Sequence, residues 1–267
     1  MDAQRDARGA RGDHEDDEHL RGPSRTVVGF SGSGASRRAL RWALLDAAAT
    51  GALVHVVAVD PPHGPPPVSG PARPPLPSQQ LAECLADERE HLPGRAPEVT
   101  TAVVTGTAAT NLLVAAACAD LLVLGCGRRV GPHGPGDGHV LREVLPHAPV
   151  PLVLVGPGAV LAPARRLVVV PAADAAGEDV AAGWAARRAV TGGVRSRTVL
   201  RGPAREELPA ATGVGDLVVC GAGGLAGVPL RTLRAPVVVV PPAARRVVLP
   251  DAGAVAGDRR RVPVGRR

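Results

Sequence analysis

The sequence predicts an α/β fold, an open and mostly parallel five-stranded sheet with flanking helices, followed by a second, shortened copy of the same unit. Three observations predict it. Short runs of Val and Leu alternate with segments of helical spacing between residues 25 and 157, which is the pattern of βαβ units with right-handed crossovers. Gly-rich turns follow two of the runs, at Ser31–Ser36 and Gly125–His139. The whole pattern then restarts at Arg165.

Residues 1–24 are charge-dense and unpatterned and read as disordered. Thr26-Val-Val-Gly-Phe is a buried strand ending in Ser31-Gly-Ser-Gly-Ala-Ser36, a tight turn with a Ser suited to cap a helix. From Arg37 to Thr50, Leu40, Ala43, Leu44 and Ala47 fall at helical spacing, and Gly51 supplies the stop. Leu53–Val59 is the next strand, and the Pro-rich stretch 60–77 excludes regular structure. A helix over Ser78–His91, a strand over Val99–Val104, a helix over Ala108–Ala119 and a strand over Asp120–Leu124 follow. The Gly-rich loop, a helix around Val140–Leu145 and a strand over Leu152–Val155 complete the first unit, residues 25–157.

The second unit, residues 165–242, echoes the first. Arg166 lies 141 residues after Arg25, Trp184 lies 142 after Trp42, and Thr191 lies 141 after Thr50. Gly202, Asp216 and Gly221 then follow Gly106, Asp120 and Gly125 at a constant offset of 96. The step between the two offsets marks the loss of one strand and its joining helix, leaving Val194–Leu200 as a single strand in place of two. Gly125 to Pro149 spans 24 positions, whereas Gly221 to Pro236 spans 15, so nine residues are missing from the second loop.

Composition removes several function classes. All 31 basic residues are Arg, so a Walker A lysine, a kinase lysine and a Schiff-base lysine are excluded. Of the net charge of +6, the tail 243–267 supplies seven Arg against Asp251 and Asp258, and no aromatic residue accompanies them for base stacking. That tail reads as solvated and disordered rather than as a nucleic-acid arm. Cys84, Cys118, Cys126 and Cys220 are scattered without metal-ligand spacing, which argues for a reducing compartment and against zinc. The N-terminus carries no apolar signal segment, and the apolar stretch Leu112–Gly125 is interrupted by Asp120 and too short to span a bilayer. A cytoplasmic protein without membrane partners is the expectation.

The two turns carry what chemistry there is. Glycines let backbone N–H groups approach an anion, and a helix N-terminus adds partial positive charge. Neither Gly32-Ser-Gly-Ala-Ser-Arg37 nor Gly125-Cys-Gly-Arg-Arg-Val130 completes a dinucleotide fingerprint. Gly221-Ala-Gly-Gly-Leu-Ala226 completes it formally, but Pro229 follows where a helix should. Cys126 reads as a small filler, with a redox thiol as the alternative. His55 and His147 read as structural, and His133 has no evident partner.

Val27-Val-Gly-Phe-Ser-Gly-Ser, Arg37-Arg-Ala-Leu-Arg-Trp-Ala, Asp120-Leu-Leu-Val-Leu-Gly and Ala148-Pro-Val-Pro-Leu-Val-Leu-Val resemble the universal stress protein family in its tandem form, with a degenerate second domain. The resemblance implies a Rossmann-like fold of the adenine nucleotide alpha hydrolase type, association through the last strands as a homodimer or an intramolecular pseudo-dimer, and, in many members, ATP binding. ATP-binding members carry an Asp at the end of the first strand and a Gly-x2-Gly-x9-Gly-Ser/Thr loop. Here Gly125 and Gly138 match the first and third glycines, Arg128 stands for the second, His139 stands for Ser or Thr, and Ser31 stands for the Asp.

The implied cofactor site therefore comprises Ser31, Gly32, Ser33, Gly125, Gly127, Arg128, Gly138 and His139. Ser31 offers a hydroxyl to a ribose or base without charge, and Arg128 and Arg129 offer guanidinium groups to phosphates. The implied function is a non-enzymatic stress-response regulator with ATP or another adenine nucleotide bound to its first unit. A partner-binding module with both sites lost is the alternative, and an ATP-using enzyme of the same superfamily ranks third.

Overall fold

The computed structural model describes residues 24–60, 77–127, 138–170, 175–191, 196–199, 207–225 and 228–242. The disordered segment expected before residue 24, the Arg-rich tail 243–267, and Arg128, Arg129 and His133 lie outside the described residues.

The strands are β1 Arg25–Phe30, β2 Leu53–Asp60, β3 Val99–Thr105, β4 Leu121–Gly125, β5 Leu152–Val155, β6 Arg166–Val169, β7 Ser196–Val199, β8 Asp216–Gly221 and β9 Val237–Val240. The helices are α1 Gly34–Thr50, α2 Pro77–His91, α3 Ala108–Ala116, α4 Gly138–Val144, α5 Ala175–Thr191 and α6 Leu208–Ala211. All described strands join one sheet in the order β3-β2-β1-β4-β5-β9-β8-β6-β7. Every pairing is parallel except that of β5 with β9. The five-stranded parallel sheet of the first half is thus as expected.

Both faces of the sheet are covered, so strand residues alternate between two cores, and the runs read as continuously apolar. Val28, Phe30, Val123, Val153, Val219 and Val238 face α1, α2 and α5, whereas Val27, Leu122, Leu152, Leu154, Val218 and Val237 face α3, α4 and α6. Each core runs unbroken across the β5–β9 seam.

Helix α1 begins three residues before the expected start. Ser33, in extended backbone, accepts a hydrogen bond from the Ser36 N–H, which places Ser36 inside the first turn rather than at the cap. Its stop is the expected one: Gly51 has φ +74 and donates to the Ala47 carbonyl at 2.8 Å. Helix α3 ends at Ala116 rather than Ala119, and α4 starts at Gly138 and passes into a 3-10 turn over Leu145–His147. Pro146 causes that tightening, since it has no N–H to continue the α ladder.

Beyond the seam, the order β7-β6-β8-β9 matches β2-β1-β4-β5. The registers match as well. Val28 pairs with Val123 and Val169 with Val219, while Val123 pairs with Val153 and Val219 with Val238. By register, Pro236 therefore matches Pro151 rather than Pro149, and the second connection is shorter by eleven residues rather than the nine expected. The strand expected over Val194–Leu200 is β7, which pairs with β6 as β2 pairs with β1.

One buried acid on α2 yields a pH prediction. Glu88 is 7% exposed, with Arg41 3.7 Å away. Burial pushes its carboxyl above the usual carboxylate range, against the pull of Arg41 and with a push from Asp87. A carboxyl raised in the folded state binds protons more tightly there. Its ionisation costs stability, so stability falls as pH rises from the unfolded carboxylate range through the folded value. Glu88→Gln is therefore expected to raise the thermal midpoint at neutral pH and to lose that advantage near about pH 4. Melts of both proteins across that range check this, and a pH-independent difference would rule out ionisation as the cause.

Candidate functional site

In a sheet ordered β3-β2-β1-β4-β5, the chain turns outward on either side of β1 and β4, which opens a crevice at the carboxyl ends of those two strands. Phe30 ends β1 and Gly125 ends β4, so both expected turns leave the sheet beside this crevice.

The turn after β1 is organised by its serines. Ser31 Oγ donates to Ser33 Oγ at 3.0 Å, Ser33 Oγ caps the Ser36 N–H at 3.2 Å, and Ser36 Oγ donates to the Ser33 carbonyl at 2.9 Å. Gly32 has φ +74, a conformation only glycine adopts freely. No protein acceptor among the described residues engages the amides of Gly34 and Ala35. The N-terminus of this 17-residue helix therefore presents two N–H groups and its dipole toward the crevice.

Gly125 makes the closest approach between the turns. A Cβ placed there would lie 2.0 Å from the Ala35 carbonyl oxygen and 2.8 Å from the Ser36 nitrogen, both of them backbone atoms of α1's first turn. Gly125 is therefore what lets the start of α1 lie against the end of β4. Cys126 follows, 3% exposed and donating its N–H to the Val155 carbonyl at 2.9 Å, which agrees with its reading as a filler. Gly127 is half-buried at the last described position of the loop.

Among the expected site residues, Ser31, Gly32 and Ser33 share the turn after β1, and Gly125 abuts Ala35 and Ser36 in the helical turn that follows it. Gly138 opens α4, on the sheet face opposite α1. His139 is exposed, and its Nε2 lies 2.8 Å from Glu143 Oε1 one turn along the same helix. His55 Nδ1 sits 2.8 Å from Thr100 Oγ1, and His147 Nδ1 sits 3.0 Å from the Glu143 carbonyl, so both are structurally engaged.

Two residues at the site escaped the sequence reading. Gln80 reaches over from α2, so that a Cβ on Gly32 would lie 1.8 Å from its Oε1. Arg38, on the second turn of α1, donates to the carbonyls of Gly156 and Ala159 just after β5, and burial pushes its pKa down. Helical spacing alone does not distinguish Arg38 from its solvated neighbour Arg37. No spacing signal marks Gln80, because a long Pro-rich stretch of sequence separates it from the turn it covers.

The second half repeats part of this geometry. A Cβ on Gly221 would lie 2.7 Å from the Gly177 carbonyl oxygen in the first turn of α5, the counterpart of the Gly125–Ala35 contact. There β8 passes into a 3-10 turn, Ala222–Leu225. The segment beyond it packs on the linker, with the Leu230 carbonyl oxygen 2.2 Å from where a Cβ on Gly156 would be. Among the described residues, no cluster of three His, Cys, Asp or Glu side chains could hold a metal, and no helix is long and apolar enough to cross a membrane.

The model of the universal stress protein family matches residues 23–156. Among solved structures, a functionally unknown protein from Pseudomonas aeruginosa PAO1 is similar at 15% identity and TM-score 0.51, over 82% of this chain and 93% of that one. A universal stress protein from Archaeoglobus fulgidus DSM 4304 is 14% identical at TM-score 0.48, over 82% and 98%. A universal stress protein in complex with cAMP is 25% identical at TM-score 0.35, over 48% and 93%. No curated protein sequence matches the chain.

Proposed function

The chain belongs to the universal stress protein family, and from that premise we propose that its first half binds an adenine nucleotide in the β1–β4 crevice and serves as a non-enzymatic, nucleotide-responsive stress regulator. The observation that carries this reading is the seating of α1's first turn against Gly125, which aims the amides of Gly34 and Ala35 into the crevice where the Gly125–Gly138 loop begins. Phosphates suit that end of a helix. Ser31 offers a neutral hydroxyl to the ribose or base, Gln80 is placed to contribute an amide, and Arg128 is the charged residue nearest Gly125 in sequence.

Residues 166–240 form, on this reading, a reduced copy that binds no nucleotide. Its support is the matching strand order, the matching registers and the repeated glycine contact. A tie at the sheet's lower end recurs too. Asp120 accepts from the Arg25 N–H at 2.8 Å, and Asp216 accepts from Arg166 Nε at 2.8 Å. The β5–β9 pairing then serves as the pseudo-dimer seam.

Equilibrium titration of the purified chain with labelled ATP, with cAMP as a second probe, tests the proposal. Saturable binding, reduced at least tenfold by Gly138→Arg, is expected. A flat titration at millimolar nucleotide would favour the reading as a partner-binding module, for which the Ser31–Ser33 and His139–Glu143 bonds already speak. Steady ATP hydrolysis abolished by Gly138→Arg would instead establish an enzyme.

A further inference from the structure

The seam between the halves carries a residue pair that selects its partner. At its centre Val153 pairs with Val238, flanked by Leu152 with Val239 and Leu154 with Val237. Register makes Val153 and Val238 counterparts, since Val123 pairs with Val153 as Val219 pairs with Val238. A strand residue that pairs antiparallel with its own counterpart lies on a local two-fold axis.

Above one face of the seam, α1 and α5 flank that axis. Packing sets their alignment at an offset of 142, one residue more than the Arg25–Arg166 and Thr50–Thr191 spacings, and the buried pairs Ala39 with Ala181 and Ala43 with Ala185 keep that offset. Trp42 corresponds to Trp184, and Ala35 corresponds to Gly177, each seated against the matching glycine of β4 or β8. The same offset makes Asp46 and Arg188 counterparts, and these two meet. Arg188 Nη2 donates to Asp46 Oδ2, with their side chains 14% and 3% exposed. Counterparts that touch must sit on the axis. A symmetric pairing of two first halves would bring Asp46 against Asp46, and one of two second halves would bring Arg188 against Arg188.

We propose that the Asp46–Arg188 pair is a specificity lock, which makes the α1–β5 face of the first half accept the second half and reject a second copy of itself. Hydrophobic contacts along the seam are nearly symmetric: Val and Leu meet Val on both sides. They discriminate little between the right partner and a copy. A buried charge on the axis discriminates strongly, because one of its two partners neutralises it and the other repels it without water to screen the repulsion. The inference rests on reading residues 166–240 as a reduced copy and is independent of nucleotide binding, so a failed titration leaves it standing.

Charge reversal in the full chain tests it. Asp46→Arg and Arg188→Asp each place like charges face to face, and each is expected to raise the unfolding equilibrium constant by about a hundredfold or more. The double reversal restores the pair in the opposite sense and is expected to recover to within about tenfold of wild type, as coupled sites do. A double variant no more stable than the worse single, or singles as stable as wild type, would overturn the lock. A second readout separates selection from mere stability. In a mixture of the two single variants, first halves of opposite charge can pair across chains, as can second halves. Native mass spectrometry should then show a one-to-one complex that neither variant forms alone. Its absence from the mixture, or its equal formation by wild-type chains, overturns the proposal.

Discussion

Alanine at Gly125 is expected to weaken nucleotide binding and to destabilise the first half together. The added Cβ would fall 2.0 Å from the Ala35 carbonyl oxygen and 2.3 Å from its carbon. Those are backbone atoms of a capped helix, so relief requires α1 to move bodily rather than one side chain to rotate. Overpacking of this kind costs about 1–3 kcal/mol and occasionally more. The same displacement withdraws the amides of Gly34 and Ala35 from the crevice, so affinity for ATP should fall at least tenfold. Gly221→Ala is the internal control. Its Cβ would lie 2.7 Å from the Gly177 carbonyl oxygen, a gentler clash, and it should leave binding intact. Urea unfolding and nucleotide titration of both variants check this. Wild-type affinity in Gly125→Ala would remove the α1 N-terminus from the site.

Trp42→Ala is expected to carry the largest stability loss of any alanine substitution at an apolar position of α1. Trp42 is 1% exposed and heads the fully buried side chains by size, in a core where Phe30 is the only other buried aromatic residue. Deleting a buried indole costs about 3–5 kcal/mol, because the cavity left behind collapses only in part. For a chain of this size that corresponds to a fall in thermal midpoint of roughly 10 °C. Trp184 is only partly buried against the same core, so Trp184→Ala should cost clearly less. Melts followed by far-ultraviolet circular dichroism compare the two without relying on either indole as the probe. Equal losses would mean that the second half packs as tightly as the first.

Most of the first half was legible because parallel strands buried on both faces leave an unmistakable mark. Val27–Phe30, Leu53–Val59 and Leu152–Val155 are apolar runs too short for helices, and each is a strand here. Helix ends were legible only where one residue decides them. Gly51 stops α1 by adopting positive φ, whereas the start of α1 was misplaced because the turn offers Ser31, Ser33 and Ser36 as caps. Only the chain's path selects Ser33. At the site, glycine spacing pointed to Gly125, but the reason it must be glycine is a carbonyl that arrives from α1, ninety residues earlier in the chain.

The sequence by itself determined the fold class, the family and the place of the two turns, because periodicity, glycine and strand composition act within a few residues of one another. The tertiary structure alone decided which groups meet across long separations. It laid Gln80 over Gly32, turned Arg38 onto the carbonyls of Gly156 and Ala159, joined β5 to β9, and set Asp46 against Arg188. Those contacts depend on which helix faces point inward over the nine-stranded sheet, and that follows from tertiary packing rather than from any local pattern.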